Sequence, residues 1–195
     1  MFKRNEEVIA MNIAYYSQWD ESGFQSKQEY ELWSPNLCGM ACLKMVLKDI
    51  YNEVQSTVGL AKRCCEYGGY IVKDDQIEGL IYKPFCKFIK KEFGLSGKVK
   101  KRLSCRTIKK QLSKGNYIIA SVNPTIRDAQ MSVNDEVTIK GGHLVLMTGF
   151  NSITGTLQFH NPSGNPGKSQ INHEMLEEDF NKYFANRGIV VYKPQ

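Results

Sequence analysis

Four side chains of this sequence are of types that together could carry out acyl chemistry: the thiol of Cys38, the imidazole of His143 and the carboxamides of Asn161 and Gln18. A cysteine attacks a carbonyl carbon as the thiolate, so a nucleophilic cysteine needs surroundings that favour the anion. Cys38 falls in the first turn of a helix expected over Leu37–Ile50. There, unpaired backbone N–H groups and the helix dipole favour negative charge. Cys42 comes one turn later, where that field has faded, and Cys64, Cys65, Cys86 and Cys105 carry no such signal. Cys38 is the candidate nucleophile.

Expelling an amine also needs an acid, and histidine suits neutral pH. His143 directly follows Gly141-Gly142, whose lack of side chains permits close approach of backbone or substrate, and it opens an expected strand that would hold its ring. His160 ends the next strand, and His173 reads as a surface or capping residue. Asn161-Pro162 follows the strand hairpinned to that of His143, so Asn161 can reach the far ring nitrogen and hold one tautomer. Read alone, Asn161-Pro162-Ser163-Gly164 is a turn. Gln18, within Tyr16-Ser17-Gln18-Trp19-Asp20, offers an amide that could join the Cys38 backbone N–H in holding an oxyanion. Read alone, it is an exposed loop glutamine.

The elements that must position these groups follow from periodicity. Leu37–Ile50 is apolar nearly all round, with Lys44, Lys48 and Asp49 as its polar face, and a helix of that kind is buried and central. Ser34 is its expected N-cap, with Pro35 at the first helical position. Further helices are expected over Pro84–Phe93, over Cys105–Ser113 behind Ser104 as cap, and over Glu174–Phe184 with Leu176, Phe180, Tyr183 and Phe184 inward. Strands are expected at Tyr117–Val122, His143–Phe150, Thr156–His160 and Gly188–Tyr192. Helices come early and antiparallel strands late, which argues an α+β fold with a helical part facing a sheet.

Composition sets the outer limits. The chain has 195 residues, a net charge of +6 and six cysteines. It shows no internal repeat or low-complexity linker, so residues 1–195 are read as one domain. Met1–Glu7 has no apolar stretch behind its basic residues, and no run approaches a membrane span, so a soluble, cytoplasmic protein is expected. Its thiols are then reduced. No CxxC pair and no metal-finger spacing of the histidines appears, so neither metal nor cofactor is expected. The basic stretch Lys98–Lys110 contains no aromatic residue. It reads as a solvated face rather than a nucleic-acid or acidic-peptide patch, and no nucleic-acid partner is expected.

Gln18, then Cys38 opening a buried helix, then His143 on a strand, then Asn161 after the next strand: this order resembles the papain-like superfamily of cysteine peptidases. The segments Tyr16–Asp20, Leu37–Cys42, Gly141–Gly149 and Phe159–Gly164 look like those of stand-alone relatives of the double-glycine peptidases that remove bacteriocin leader peptides. The likeness spans about residues 14 to 192. It departs at Asn161-Pro162, where transporter-linked leader peptidases usually have Asp-Pro. The resemblance implies a papain-like fold, a peptide or protein substrate, Cys38 as nucleophile, His143 as base and acid, Asn161 as its orienter and Gln18 as oxyanion donor. A Cys38–His143 ion pair would attack the amide and pass through a thioacyl-enzyme. The same thiol would serve an acyltransferase or peptide ligase, and the same fold a catalytically idle peptide binder. Thr125–Lys140, long and polar just upstream of His143, is expected to be a substrate lid.

Overall fold

The computed structural model describes residues 7–128 and 140–194. In chain order its elements are β1 (Val8–Ala10), α1 (Lys27–Trp33), α2 (Cys38–Tyr51), α3 (Thr57–Cys65), β2 (Tyr70–Lys73), β3 (Gln76–Gly79), α4 (Tyr82–Phe93) and β4 (Gly97–Lys100). They continue with α5 (Cys105–Leu112), β5 (Tyr117–Val122), β6 (His143–Asn151), β7 (Thr156–His160), β8 (His173–Leu176), α6 (Glu177–Tyr183) and β9 (Phe184–Val191). Short 3-10 turns occupy Ser34–Asn36 and Pro124–Asp128. The class is α+β, as expected. A sheet runs β4-β9-β5-β6-β7-β8, with β1 added along β6. Its pairings are all antiparallel, and β2 and β3 form a separate hairpin.

The side chains of β5 alternate between two apolar clusters. Tyr117 and Ile119 join Leu144 and Leu146 of β6 against α2, α3 and α4. Ile118, Ala120 and Val122 join Val145 and Met147 against residues of α5 and α6. Helices therefore cover both faces of the sheet rather than one, which is why every residue of β5 is buried and why these strands read as continuous apolar runs. Met40, Leu43, Met45 and Leu47 of α2 are at most 1% exposed, and each contributes roughly 1.5–3 kcal/mol by leaving water. This helix is the post on which the candidate nucleophile stands.

Several boundaries differ from the sequence reading. Ser34 and Pro35 do not cap α2; they form the 3-10 turn before it, and Leu37 occupies the N-cap position. Lys44, of the expected polar face, is itself buried: its side chain is 3% exposed and bonds Asp20. Residues 174–176 are strand, because β8 pairs with β7 through Leu157 and Met175, and Leu176 faces outward. Phe184 likewise opens β9 rather than closing a helix. The lid expected over 125–140 lies mostly outside the described residues; its first part, through Asp128, is the second 3-10 turn. Among the described residues, no helix is long and apolar enough to cross a membrane.

Candidate active site

Two elements meet at the site. Cys38 is the first residue of α2, partly exposed, at the wall of a cleft of about 650 Å³. His143 is the first residue of β6 and lines the same cleft, along with Gly142, Leu144, Leu80 and Tyr82. The join between α2 and β6 is tight. The backbone N–H of Leu144, next in the chain to His143, hydrogen-bonds the Cys38 sulfur, and the Cys42 thiol donates to the Leu144 carbonyl at 3.8 Å. Gly39 provides the clearance: a Cβ there would stand 2.6 Å from Leu80 Cδ2 and 3.0 Å from Leu144 Cδ1.

Gly141 and Gly142 deliver His143 in left-handed backbone, with φ of +105° and +94°, conformations that cost a residue with a Cβ about 1–2 kcal/mol. His143 is 4% exposed. Its Nε2 lies 2.7 Å from Asn161 Oδ1 and 3.1 Å from Ser163 Oγ. Asn161 Oδ1 also accepts from the Ser163 backbone N–H at 3.1 Å, which identifies that atom as the oxygen. The imidazole must therefore carry its proton on Nε2, and Nδ1 is the basic nitrogen. Asn161 is itself anchored, its backbone carbonyl accepting from the Tyr15 hydroxyl at 3.1 Å. Ser163 is a contact that sequence reasoning missed; only the short turn after Asn161 signalled it.

Asn161 stands behind the His143 ring rather than on the cleft wall, and Gln18 does not line the cleft either. It is 2% exposed, not an exposed loop residue. Its Nε2 donates to the Ser34 carbonyl at 3.0 Å and the Pro35 carbonyl at 3.4 Å, and its Oε1 is buried without a partner. The amide thus holds the turn that leads into Cys38. Its backbone N–H donates to the Pro162 carbonyl at 3.0 Å, tying this segment to the Asn161 turn. His160 is set apart: its ring bonds the Ile13 carbonyl and the Asn172 backbone N–H, a structural role.

Burial acts against charge at both reacting groups. Burial pushes the Cys38 thiol up to about 11, against backbone hydrogen bonds from Leu144, Gly39 and Cys38 itself that favour the anion. Burial pushes His143 down to about 4, helped by the positive charge of Arg127 and opposed by the Asn161 hydrogen bond. Desolvation disfavours both charged forms. Against it, the backbone N–H groups around Cys38 at the start of α2 favour the thiolate, and the Asn161 hydrogen bond favours the imidazolium.

Among the described residues no group of three or more His, Cys, Asp or Glu gathers to hold a metal ion. What the site offers is a thiol, a basic nitrogen of fixed tautomer and a cleft whose wall combines apolar residues with cationic ones.

Comparison with known proteins bears on the family and the fold. A sequence model of the Peptidase C39-like family matches residues 10–191. A protein described as a C39-like peptidase from Bacillus anthracis superposes with a TM-score of 0.64 over 97% of this chain and 100% of its own, at 13% identity. The peptidase domain of Streptococcus ComA, a bi-functional ABC transporter involved in quorum sensing, superposes with a TM-score of 0.54 over 82% of this chain and 93% of its own, at 20% identity. At these identities the likeness to solved structures concerns the fold, which is that of papain-like peptidases. No curated protein matches the sequence.

Proposed function

The chain belongs to the Peptidase C39-like family, and from that premise we propose that it is a cysteine peptidase that cleaves peptide amide bonds through Cys38, His143 and Asn161. The observation that carries the proposal is the 2.7 Å bond between His143 Nε2 and Asn161 Oδ1. It leaves Nδ1 as the base, on a ring that shares a cleft wall with the thiol.

The chemistry begins from the neutral pair. As the Cys38 sulfur forms its bond to the substrate carbonyl carbon, its proton passes to His143 Nδ1 and the carbonyl π pair moves onto oxygen. The charge that desolvation disfavours at rest develops only with substrate in place. The Cys38 backbone N–H is the first oxyanion donor. The Gln18 amide is the second, giving up its contact to the Pro35 carbonyl, which at 3.4 Å is long. Removal of one such donor typically costs about 100- to 1000-fold in rate. Collapse of the oxyanion breaks the C–N bond as imidazolium protonates the amine. Water then attacks the thioester, its proton going to His143 and on to the departing sulfur.

The test is a comparison of the protein and its Cys38→Ala variant on a proteome-derived peptide mixture, with new N-termini read by mass spectrometry. Cleavages present only with Cys38, and an acyl mass trapped on that residue, are the expected result. Equal cleavage by both proteins overturns the proposal. Added amines distinguish hydrolysis from transfer, since a transferase attaches them to the new C-terminus.

One feature favours a second reading, an idle peptide binder: burial acts against the charged form of both reacting groups. Such a clamp would protect peptides without trapping an acyl group on Cys38.

A further inference from the structure

The cleft that holds Cys38 and His143 is lined by four cationic residues, Lys83, Lys100, Lys101 and Arg187, and by no acidic one among the described residues. They come from three separate elements. Lys83 lies in the first turn of α4, Lys100 ends β4 with Lys101 directly after it, and Arg187 lies on β9, one residue before the Gly188 that pairs with Lys100. The Arg187 guanidinium packs against Gly141, where any side chain would collide with it. Ser121 lies beside them, also on the cleft wall. Among the described residues none of the four cations has an ion-pair partner, while Lys44, Lys62, Arg63, Lys109 and Lys182 all do.

Like charges gathered around a concave, partly apolar wall focus a positive potential into it, and their mutual repulsion goes uncompensated until an anion arrives. We propose that this cleft selects acidic peptides, with Lys100, Lys101 and Arg187 reading aspartate, glutamate or a terminal carboxylate beside the bond presented to Cys38. The proposal rests on the peptidase reading and adds the substrate class. The floor next to Cys38, made of Leu80, Leu144 and Gly142, accepts a small or apolar residue at the reacting centre. The charged residues of the substrate then lie toward β4 and β9. A single-stranded nucleic acid would also meet cations here, but it offers no amide to the thiol, and Tyr82 is the one aromatic residue among the described residues of the wall, too few to stack successive bases.

The experiment measures covalent capture of Cys38 by three sets of tetrapeptide vinyl sulfones, identical except for Glu, Gln or Lys at each position in turn, with the adduct located by mass spectrometry. The expected result is a labelling rate about tenfold higher for the best Glu probe than for its Gln counterpart, lower again for Lys, with the preference shrinking as salt is raised. In the Lys101→Gln/Arg187→Gln variant the Glu-to-Gln ratio falls toward one, and in Lys101→Glu/Arg187→Glu the order reverses to favour Lys. Equal labelling by Glu and Gln probes overturns the acidic-substrate proposal while leaving the peptidase reading intact. Protection of Cys38 by a single-stranded oligonucleotide, together with equal labelling, overturns it in favour of nucleic acid. If iodoacetamide labels Cys38 but no vinyl sulfone does in any set, the peptidase reading fails as well.

Discussion

Lys44 Nζ bonds Asp20 Oδ2 at 3.1 Å, joining the middle of the helix that begins with Cys38 to the segment that carries Gln18. The two partners are buried unequally, with side-chain exposures of 3% for Lys44 and 33% for Asp20. Burial of Asp20 works against its charge, but hydrogen bonds from Ser22 and Lys44 outweigh it and hold the carboxyl below its ordinary value. The inequality predicts unequal mutants. Asp20→Asn leaves an ammonium stranded among apolar neighbours, partly eased by the Tyr16 ring 4.6 Å away. We expect it to cost about 2 kcal/mol in urea denaturation, below the usual figure for a fully buried pair because Asp20 is partly solvated. Lys44→Met removes the charge and keeps the volume, and should cost less than about 1 kcal/mol. The reverse ranking would show that Lys44 is not desolvated.

Asn161 and Ser163 both meet His143 Nε2, at 2.7 and 3.1 Å. Asn161→Ala should lower kcat/KM by about 100-fold, since the ring loses its tautomer lock. Ser163→Ala alone should change it less than about threefold, because the shorter bond remains. The double variant should fall further than the product of the two, as the serine hydroxyl is the substitute at hand for the lost amide. Multiplicative behaviour would mean that Ser163 does not orient the ring.

A Cys38 thiol pushed up to about 11 beside a His143 pushed down to about 4 has a kinetic signature. Below pH 11 the thiolate fraction grows about tenfold per pH unit. The rate of Cys38 alkylation by iodoacetamide should therefore climb steadily between pH 6 and 9 in the absence of substrate. A preformed ion pair would instead give a plateau across that range. A flat profile, read peptide by peptide, would restore the ion pair.

How far the fold was legible depended on which forces set each element. Strands β5 and β6 announce themselves because both their faces are covered, leaving no polar residue to interrupt the run, and α2 does so for the same reason. Helix α1, Lys-Gln-Glu-Tyr-Glu-Leu-Trp, hides because only Trp33 is buried. Strand β8 mimics a helix: Leu176, Phe180 and Tyr183 have helical spacing, but His173–Leu176 is claimed by the open hydrogen-bonding edge of β7. The order of Cys38, His143 and Asn161 was readable from local signals, a helix start, a glycine pair and a turn. The partners of Gln18, the burial of Lys44 and the placement of Lys100 and Lys101 at the cleft were not. Each depends on a contact made by chain distant in sequence, and a lysine carries the same letter whether it meets water, an aspartate or a cleft.

Acid should unfold the protein in part through its histidines. His143 has a folded value of about 4 against 6.5 when free, so between those limits the unfolded chain binds more protons. Stability is then complete above about pH 6.5 and declines as pH falls toward 4, by roughly 3 kcal/mol for this one group. His160 and His173 are depressed by burial as well and act in the same direction. Urea midpoints taken from pH 7 to 4 should fall more steeply in the wild type than in His143→Gln, which has no proton to take up there. Parallel slopes would mean that His143 is charged in the folded state.

The last prediction concerns the clearance beside the thiol. Gly39 sits within the first turn of α2, where alanine in place of glycine would gain up to about 1 kcal/mol from helix propensity. The new methyl would, however, stand 2.6 Å from Leu80 Cδ2 and 3.0 Å from Leu144 Cδ1. Leu144 is fixed in the core at 4% exposure, so Leu80, on the cleft wall, is the side chain with room to yield. Its displacement is into the space a substrate would occupy. Gly39→Ala should therefore change the urea midpoint little, the gain and the clash offsetting each other to within about 1 kcal/mol. Labelling of Cys38 by peptide vinyl sulfones should fall by about tenfold or more, while labelling by iodoacetamide, which is small enough to pass, should fall far less. A variant that loses both reactivities together would place the obstruction at the sulfur itself, and one that loses neither would show that Leu80 does not bound the peptide's path.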